Sequence, residues 1–590
     1  MKMNRNLNNQ EVACLLQAIA AAYEVKNSNR FKIIAYDRAA TAVENATSEV
    51  KDLWDDGKLR TLPGIGASIA QHLDELFRTG KVKHFNRLIK GLPPAMFEFL
   101  SISGIGAKTA YKLCQELEIK RAKTALVELE KAAKKGKIAL LEGFGEKSQT
   151  DILEAILDFK KGRIKKKRMP LSYADAVAQD IIVYLKKSPA TLKIDPLGSL
   201  KRRVATVGDI DIAVATKKPT EVVSWFVAYP KKKKLIEKGP TGASILLKGG
   251  CQVDLRVQKP EAYGSMLQYF IGSKHHNIHL REFALKKGLS LSEHGIKKGK
   301  KLKEYATEEQ FYHDLGLPWI PPEIREDTGE IEVAQKGELP NLVKTSDIKG
   351  DFHLHSNYPL EPSHDEGKNS MEEMAMKAIE LGYEYIGFSE HNPSLSHHSE
   401  KQIIDLVKRK NGAVEQLKSS CNKITLLNGL EVDIRPNGQL AFPEKGFDLL
   451  DYVVASIHSS FKMNKKEMTR RVLAGLEHPK VKILGHPTGR KLGQREGYEL
   501  NWEKVFAFCK KADIWLEINA WPDRLDLPDV LVREAVKNGV KMVINTDSHA
   551  LSQMGLMPYG VSVARRGWAE KSDIINTLSW LKLNARLKRT

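Results

Sequence analysis

Residues 197–216 read LGSLKRRVATVGDIDIAVAT, a Gly-Ser turn followed by two aspartates in a strand-like run. Side chains two apart on a strand share one face, so Asp209 and Asp211 present two carboxylates to one point. Asp254, in the strand-like run CQVDLRV, adds a third. Carboxylates on adjacent strands can hold two divalent ions about 4 Å apart and leave room for substrate phosphates. The stretch predicts a site for two Mg²⁺ or Mn²⁺ ions; the alternative is a surface strand with solvated charges.

The composition indicates a polyanionic partner. The chain of 590 residues has 94 Lys+Arg against 73 Asp+Glu, a net charge of +21, which attracts nucleic acid from a distance. It has no apolar run of about 18 residues or more and no signal-peptide core. Its 5 cysteines form no C-x-x-C pair, so they indicate neither disulfides nor a thiolate zinc site. We expect a cytoplasmic protein that acts as a monomer and has no contact with membranes.

Three similar segments recur about every 40 residues in the first quarter of the chain: LPGIGASIAQHL at 62–73, ISGIGAKTAYKL at 102–113 and LEGFGEKSQTDI at 141–152. Each has G-x-G before a helical pattern, so backbone N–H groups at the start of the helix can face a phosphate. The segments resemble helix-hairpin-helix elements, which bind the DNA backbone without reading sequence. We expect Gly64, Gly66, Gly104 and Gly106 to contact DNA.

A further phosphate contact is predicted in FKIIAYDRAATAV at 31–43, where Lys32 and Tyr36 share a helix face at i, i+4. This pair could hold a 5′-phosphate of DNA. The alternative is an exposed lysine beside a partly buried tyrosine. The basic run KKGRIKKKR at 160–168 is typical of a solvated linker, and we expect a hinge there.

The last 240 residues repeat the order strand, ligand-type residue, helix. The ligand-type residues are His353, His355, His391, Glu431, His458, His486, Asp547 and His549. Each follows or lies near the end of a β-type run, where a (β/α) barrel gathers its functional side chains. Imidazole and carboxylate without thiol suit zinc, manganese or iron. A single histidine of this kind is usually structural, but a set at successive strand ends predicts a multinuclear hydrolytic centre.

GSLKRR, GDIDI, VDLRV and YFIGSKHHNIHLREFALKKGLSLSEHGI at 269–296 occur in the order found in the palm and thumb of family X DNA polymerases, which this region resembles. The resemblance implies metal-binding, catalytic roles for Asp209, Asp211 and Asp254. It implies deoxynucleoside triphosphate binding by Ser199, Arg202, Gly208, Tyr269, Phe270, Gly272 and Asn277, and DNA contacts by Arg256 and Arg281.

Some positions depart from this family pattern. Ile271 replaces a threonine, and Gln252 replaces an arginine near the third aspartate. Ser68 and His72 replace the lysines that bind phosphate and form a Schiff base. Because imidazole cannot replace an amine in that chemistry, we predict no lyase activity by this route. The sequence leaves open that a different lysine forms the Schiff base.

The C-terminal half is similar to the polymerase and histidinol phosphatase (PHP) domain, a distorted (β/α)7-type barrel that binds up to three Mn²⁺, Zn²⁺ or Fe ions with nine ligands. Eight carry over at the positions given above. The ninth falls in an insertion, where alignment on Gly-Lys-Asn-Ser selects Glu366, with Asp365 as the alternative. Glu390 replaces the usual aspartate before His391. Arg490 and Arg524 are expected phosphate contacts.

Together these features predict a multidomain α+β and α/β chain. We expect a helical DNA-end-binding domain (1–90), a fingers-like helical region (91–165), a nucleotidyltransferase palm (166–260), a thumb (261–325), a surface linker (326–348) and a PHP barrel (349–590). The resemblance implies gap-filling synthesis on gapped or primed duplex DNA in base excision repair and 3′→5′ exonucleolysis, and leaves open cleavage at abasic sites. Two alternatives are a phosphoesterase for small phosphates with a degenerate front half, and a non-catalytic DNA-end scaffold.

Overall fold

The computed structural model describes residues 7, 9–26, 30–44, 50–55, 57, 59–61, 65–102, 105–160, 168–248 and 250–588. The chain forms two compact units, residues 1–168 and 169–590. Among the described residues, no helix combines the length and the apolar character needed to cross a membrane.

The first unit is helical. Its helices are α1 (Asn9–Val25), α2 (Arg30–Glu44), α3 (Val50–Asp55), α4 (Ala67–Thr79), α5 (Lys83–Ile89), α6 (Pro94–Phe99), α7 (Ala107–Glu116), α8 (Ala125–Lys134) and α9 (Glu146–Lys160). They build two apolar cores, one with Leu16 and Leu73 at its centre and one with Phe99 and Leu113. This separation agrees with a division near residue 90, although the finer domain limits stay predictions.

The described parts of the three glycine repeats share one backbone hydrogen bond at the start of the following helix. Gly66 and Gly106 precede α4 and α7 with nearly equal angles, φ −77° and ψ 172° against φ −84° and ψ 172°. Each accepts a hydrogen bond from the residue four positions later, as Gly145 does before α9. No side chain caps α4 or α7, so their first N–H groups keep the capacity to bind an anion.

The palm is a five-stranded sheet in the order β2-β4-β7-β6-β5. Its elements are β1 (Met169–Pro170), α10 (Leu171–Leu185), β2 (Lys193–Pro196), α11 (Gly198–Lys201), β3 (Thr206–Val207), β4 (Ile210–Ala215), α12 (Pro219–Val227), β5 (Lys232–Gly239), β6 (Gly242–Leu247) and β7 (Gln252–Gln258). β4 and β7 run parallel, with Asp211 opposite Asp254. The alternating pattern of the two strands therefore brings these acids to one face.

The thumb follows as α13 (Tyr263–Ile271), α14 (Lys274–Lys286), β8 (Leu289–Ser292), β9 (Gly295–Lys298), β10 (Lys301–Lys303) and α15 (Glu308–Asp314). Residues 326–348, predicted to be a surface linker, contain exposed positions but also buried ones, and include α16 (Glu330–Gln335). Glu330 is fully buried and pairs with His276 at 2.5 Å, and Ile331 and Val343 are also buried. The burial of Glu330 could not be predicted from the sequence, because a glutamate in a charged segment is typical of the surface.

The C-terminal part is a seven-stranded parallel barrel whose strands follow chain order. Its elements are β11 (Gly350–Leu354), α17 (Met371–Glu380), β12 (Tyr385–Phe388), α18 (Glu400–Ser420), β13 (Thr425–Asp433), β14 (Tyr452–Ser456), α19 (Lys465–Gly475), β15 (Val481–Leu484), α20 (Trp502–Ala512), β16 (Trp515–Asn519), α21 (Asp529–Asn538), β17 (Met542–Asn545), α22 (Met557–Arg566) and α23 (Trp580–Leu587). A bridge between Leu354 and Ser548 joins the first strand to the end of the last. The predicted fold class is confirmed.

Side chains from every strand fill the barrel interior. They are Phe352, Tyr385, Leu427, Tyr452, Val454, Ile483, Trp515 and Val543. Inward-facing layers of this kind make such a barrel a packed core and not a channel. The predicted ligand residues lie at or beyond the carboxyl-terminal part of the strands, outside this apolar interior.

Candidate metal centres in the barrel and the palm

The predicted barrel ligands surround one carboxylate, Glu431 on β13. Its Oε2 lies 3.2 Å from His353 Nε2 and 2.9 Å from His391 Nδ1, and its Oε1 accepts a 3.0 Å hydrogen bond from His486 Nε2. His458 Nε2 is 3.4 Å from Oε1. Neighbouring strands thus bring the imidazoles together around the glutamate.

Asp547, just after β17, forms the second carboxylate of the centre. Its Oδ1 lies 3.3 Å from His355 Nε2 and 3.7 Å from His353 Nε2. The His355 and His549 rings stack at 4.1 Å. Asp547 and His486 both adopt positive φ, +54° and +25°, a conformation that non-glycine residues rarely adopt outside functional sites.

The donor atoms fit bound metal ions. Buried atoms without a hydrogen-bond partner include both ring nitrogens of His355, Nε2 of His353, Nδ1 of His391 and Oε2 of Glu431. Buried polar atoms are nearly always paired, so a cluster of this kind needs further partners. Imidazole and carboxylate are the ligands that Zn²⁺, Mn²⁺ and Fe ions accept.

Burial and neighbouring charges together shift the pKa values of the groups in this cluster. Burial alone raises the pKa of Glu431, yet the charges of His353, His391 and His458 hold that pKa well below its usual value. Burial and the neighbouring His549 and His391 lower the pKa of His355 well below normal. The Glu431 carboxylate raises the pKa of His391 to about 10, although burial opposes this. Without ions the centre therefore combines an ionised Glu431 and a neutral His355 with a protonated His391, which would have to lose its proton to bind a metal ion.

Of the two candidates for the ninth ligand, Asp365 lies nearer the histidines than the predicted Glu366. Asp365 Oδ1 lies 3.4 Å from His391 Nε2, and Oδ2 lies 3.5 Å from His549 Nε2. Both side chains are exposed, so the contacts of Asp365 and not its burial favour it. Gly367 fixes the loop, because a Cβ there would meet the His355 carbonyl oxygen at 1.9 Å. The insertion obscured this spacing in the sequence.

Three further residues contribute that the sequence did not single out. Glu517 on β16 accepts a 2.7 Å hydrogen bond from His353 Nδ1 and a 2.6 Å bond from the backbone N–H of His486. Asp433 Oδ1 accepts a 2.6 Å bond from His458 Nδ1, and His364 Nε2 donates to Asp433 Oδ2 at 3.0 Å. An acid inside the apolar run WLEIN was the available signal for Glu517.

The predicted arginine contacts differ from each other. Arg490 donates to the backbone carbonyls of Arg524 and Leu525, so it supports the loop and does not face the centre. Arg524 Nε lies 3.9 Å from Asp547 Oδ2, beside the cluster. Glu390 turns away from the histidines onto Lys410, at 2.5 Å.

The palm aspartates lie near one another, but their carboxylates form a less compact cluster than the barrel ligands do. Gln252 Nε2 donates to both oxygens of Asp254 at 3.0 and 3.2 Å. Arg256 Nε lies 4.0 Å from Asp211 Oδ1. Burial raises the pKa of the Cys251 thiol to about 11, and the charges of Asp209 and Asp254 add to the effect, so both acids face this thiol. Within the described part of the chain, the sets of three ligand atoms less than 4.8 Å apart all belong to the barrel.

The predicted triphosphate residues lie at the same edge of the sheet. Gly198, with φ +56°, brings the start of α11 against Asp211, since a Cβ on Gly198 would lie 3.3 Å from Asp211 Oδ2. Ser199 is the next residue of α11, and Gly208 immediately precedes Asp209. Arg202 is already engaged: its Nε donates to Glu326 Oε1 at 2.9 Å and its Nη1 to the Ile271 carbonyl at 2.7 Å.

The predicted sugar- and base-contacting residues cluster on α13 and α14. Tyr269 and Phe270 contact edge to face at 5.0 Å, and the Arg256 guanidinium lies 4.0 Å from the Phe270 ring centroid. Asn277 Nδ2 donates to the carbonyls of Tyr269 at 2.8 Å and Gly272 at 3.1 Å.

Two further positions complete this group. A Cβ on Gly272 would meet Asn277 Oδ1 at 2.6 Å. Arg281 donates to the Asn277 carbonyl at 3.0 Å. Glycine at 272 therefore permits the close approach that fixes the Asn277 side chain.

In the helical unit, Gly64 and Gly104 lie outside the described residues. Lys32 is exposed, with Nζ 5.6 Å from the Tyr23 ring centroid. Tyr36 is buried, and its hydroxyl lies 2.6 Å from His72 Nδ1. His72 stacks on His84 at 4.8 Å. His72, one of the two positions where the resemblance implies a lysine, is therefore an imidazole stacked on a second imidazole.

Comparison with known proteins agrees with this architecture. Family models match for a helix-hairpin-helix domain (residues 7–82), a DNA polymerase beta thumb (266–326) and a PHP domain (351–520). The DNA polymerase/3′-5′ exonuclease PolX of Bacillus subtilis (strain 168) is 33% identical over 587 residues, 99% of this chain and 100% of the relative. DNA polymerase lambda of Rattus norvegicus is 22% identical over 341 residues, 53% of this chain and 55% of the relative.

The barrel alone has other relatives. A probable phosphatase of Clostridium acetobutylicum is 27% identical over 226 residues, 36% of this chain and 87% of the relative. The fold thus defines an enzyme in which a polymerase front half is joined to a PHP barrel. The chain belongs to the family X DNA polymerases that carry a C-terminal PHP domain.

Proposed function

We propose that this chain fills short gaps in DNA from the palm and removes 3′-terminal nucleotides in the barrel, as a monomer acting in cytoplasmic base excision repair. The observation that carries the proposal is the presence of two separate ligand sets in one chain: carboxylates on β4 and β7, and a histidine-rich cluster at the strand ends of the barrel. The printed name of the full-length Bacillus subtilis relative joins the same two activities.

In the palm, Asp209, Asp211 and Asp254 would hold two Mg²⁺ or Mn²⁺ ions. Such ions lower the pKa of an attacking hydroxyl and neutralise charge on the triphosphate. Ser199, Arg202 and Gly208 would bind the triphosphate, because backbone N–H groups and a guanidinium suit phosphate oxygens. The Tyr269–Gly272 segment and Asn277 would contact the sugar and base, while Arg256 and Arg281 would contact the DNA strands.

In the barrel, the ligands would be His353, His355, Asp365, His391, Glu431, His458, His486, Asp547 and His549. Up to three Mn²⁺, Zn²⁺ or Fe ions bound there would supply Lewis-acid chemistry for phosphodiester hydrolysis. Glu517 orients His353 by accepting from its Nδ1, and Asp433 does the same for His458. Such outer contacts fix the ring that faces a metal ion.

DNA would be held by the helical unit. The uncapped starts of α4 and α7 would bind backbone phosphates at Gly66 and Gly106, and the equivalent Gly64 and Gly104 would complete each hairpin. Lys32 remains exposed enough to meet a 5′-phosphate. Tyr36 would act through its contact with His72, because it is itself buried.

A second candidate function is hydrolysis of small phosphate esters by the barrel, favoured by the barrel's likeness to probable phosphatases. One experiment tests both. A gapped duplex with a labelled primer is incubated with Mg²⁺ or Mn²⁺, with and without nucleotides, and a small phosphate ester is assayed in parallel. Extension with nucleotides and shortening without them support the proposal, whereas ester hydrolysis with inert DNA supports the alternative.

Two variants test the division of labour. Asp209→Ala is expected to abolish extension and spare shortening, and His353→Ala to do the reverse. Loss of both activities in both variants would contradict the assignment of one reaction to each centre.

A further inference from the structure

Helix α22 of the barrel contacts the palm directly at the turn that holds Arg202. The Arg566 Nη1 donates to the Arg202 backbone carbonyl at 2.9 Å and to Glu326 Oε1 at 2.9 Å. The same Glu326 oxygen accepts the 2.9 Å bond from Arg202 Nε. One carboxylate is therefore shared between the arginine predicted to bind the triphosphate and an arginine of the barrel.

Other contacts fix the barrel side of this junction. Arg566 Nε donates to Asp529 Oδ2 at 2.7 Å. The neighbouring Arg565 pairs separately with Glu323 Oε1 at 2.8 Å and with the Val343 carbonyl at 3.0 Å. Arg565 thus joins the two parts of the chain without touching Arg202 or Glu326 in these contacts.

The shared carboxylate presents an energetic problem for nucleotide binding. Arg202 Nε is engaged by Glu326 and Nη1 by the Ile271 carbonyl, so a triphosphate bound by these atoms would require Arg202 to leave Glu326. The side chains of Arg202, Glu326 and Arg566 are only 12%, 24% and 9% exposed. A carboxylate left without a cation in such surroundings is strongly unfavourable. Arg566 can remain on Glu326 throughout and so lower the free energy needed to release Arg202.

We propose that Arg566 is a positioning residue for the polymerase centre, which keeps Glu326 paired while Arg202 binds the incoming triphosphate. The inference rests on the proposed function and on the role assigned there to Arg202. Through Arg566, the barrel would contribute to nucleotide binding in the palm, in addition to its role in hydrolysis.

The test uses full-length variants in single-nucleotide gap filling, with KM and kcat measured for the deoxynucleoside triphosphate. Arg566→Ala is expected to raise KM about five- to tenfold, because Arg202 becomes the sole cation on Glu326. Because the reacting groups are untouched, kcat is expected to stay within about twofold. Adding Glu326→Gln to Arg566→Ala removes the charge and is expected to restore KM to within about twofold of the parent.

Arg565→Ala is the matched control, because it weakens the same junction without touching the shared carboxylate. Equal changes in KM for Arg565→Ala and Arg566→Ala would overturn the proposal, as would a fall in kcat alone or no rescue by Glu326→Gln. Thermal unfolding is followed for every variant. If Arg566→Ala fails to fold, the single variant Glu326→Gln provides the test. A nucleotide KM lowered about two- to threefold would support the proposal. An unchanged or raised KM would overturn it.

The Arg202→Ala variant distinguishes a failure of the role given to Arg566 from a failure of the proposed function. A raised nucleotide KM in Arg202→Ala together with an unchanged KM in Arg566→Ala overturns only the role of Arg566. An unchanged KM in Arg202→Ala, or absence of extension by the parent protein, contradicts the proposed function itself and thereby removes the basis of the inference.

Discussion

The barrel centre and the palm centre differ in how completely the protein alone assembles them. In the barrel, Glu431 and His353 are fully buried and face one another at 3.2 Å. In the palm, Asp211 and Asp254 are only half-buried, and Gln252 and Arg256 lie against their carboxylates. Parallel strand ends fix the barrel ligands, whereas the palm acids form no comparably close set among the described residues.

This difference has a physical cause. Closely packed charged ligands are stable without ions only if opposite charges compensate them, as the imidazoles around Glu431 do. The palm has carboxylates without imidazoles, and like charges repel at short range. Its acids instead lie beside neutral or cationic side chains, Asp254 beside Gln252 and Asp211 beside Arg256.

The largest expected effect comes from breaking the centre of the barrel. Glu431→Gln removes the carboxylate shared by five imidazoles and should lower 3′→5′ exonuclease activity by about a thousandfold or more. Gap filling should be unchanged. Rates on a labelled primer measure both, with the surface variant Glu415→Gln as control. Preserved exonuclease activity would show that Glu431 is not central to hydrolysis.

The next prediction tests whether Asp365 or Glu366 is the ninth metal ligand. Asp365→Asn should lower exonuclease activity about ten- to a hundredfold, since Asp365 faces His391 and His549. Glu366→Gln, one residue away, should stay within about twofold, because the contacts to His391 and His549 are made by Asp365. A larger loss for Glu366→Gln would restore the assignment made from the sequence.

A smaller effect is expected at the rim of the barrel centre. His364 donates to Asp433, which orients His458. His364→Ala should therefore lower kcat of the exonuclease about three- to tenfold with less change in KM. His364→Gln keeps a donor and should recover part of the loss. A rise in KM alone would instead indicate contact with the DNA strand.

The smallest effect is expected in the palm. Gln252→Ala removes the donor that holds both oxygens of Asp254, and should lower kcat of gap filling about two- to fivefold. The effect is small because bound ions would orient the carboxylate in its place. A loss as large as that of an aspartate variant would mean that the palm is as preassembled as the barrel.

The sequence predicted those parts of the fold and site that follow local pattern. The barrel ligands could be found because each lies at or beside the end of an apolar strand run, and Asp211 and Asp254 because strand alternation fixes their face. The three glycine repeats were visible for the same reason, although Gly64 and Gly104 lie outside the described residues.

Features that depend on long-range contacts could not be predicted. The choice between Asp365 and Glu366 depends on a loop that Gly367 packs against His355. The burial of Glu330 depends on His276, more than fifty positions earlier. The shared carboxylate of Glu326 joins residues from three distant parts of the chain, which no local pattern records.

We expect the barrel ligands to bind ions before substrate arrives, and the palm acids to do so only with nucleotide. Anomalous diffraction from crystals of the full chain soaked in Mn²⁺ without nucleotide measures this difference. Peaks are expected among Glu431, Asp547 and the surrounding histidines, and between Asp211 and Asp254 only after a deoxynucleoside triphosphate is added. Peaks at the palm acids without nucleotide, with none in the barrel, would contradict this expectation.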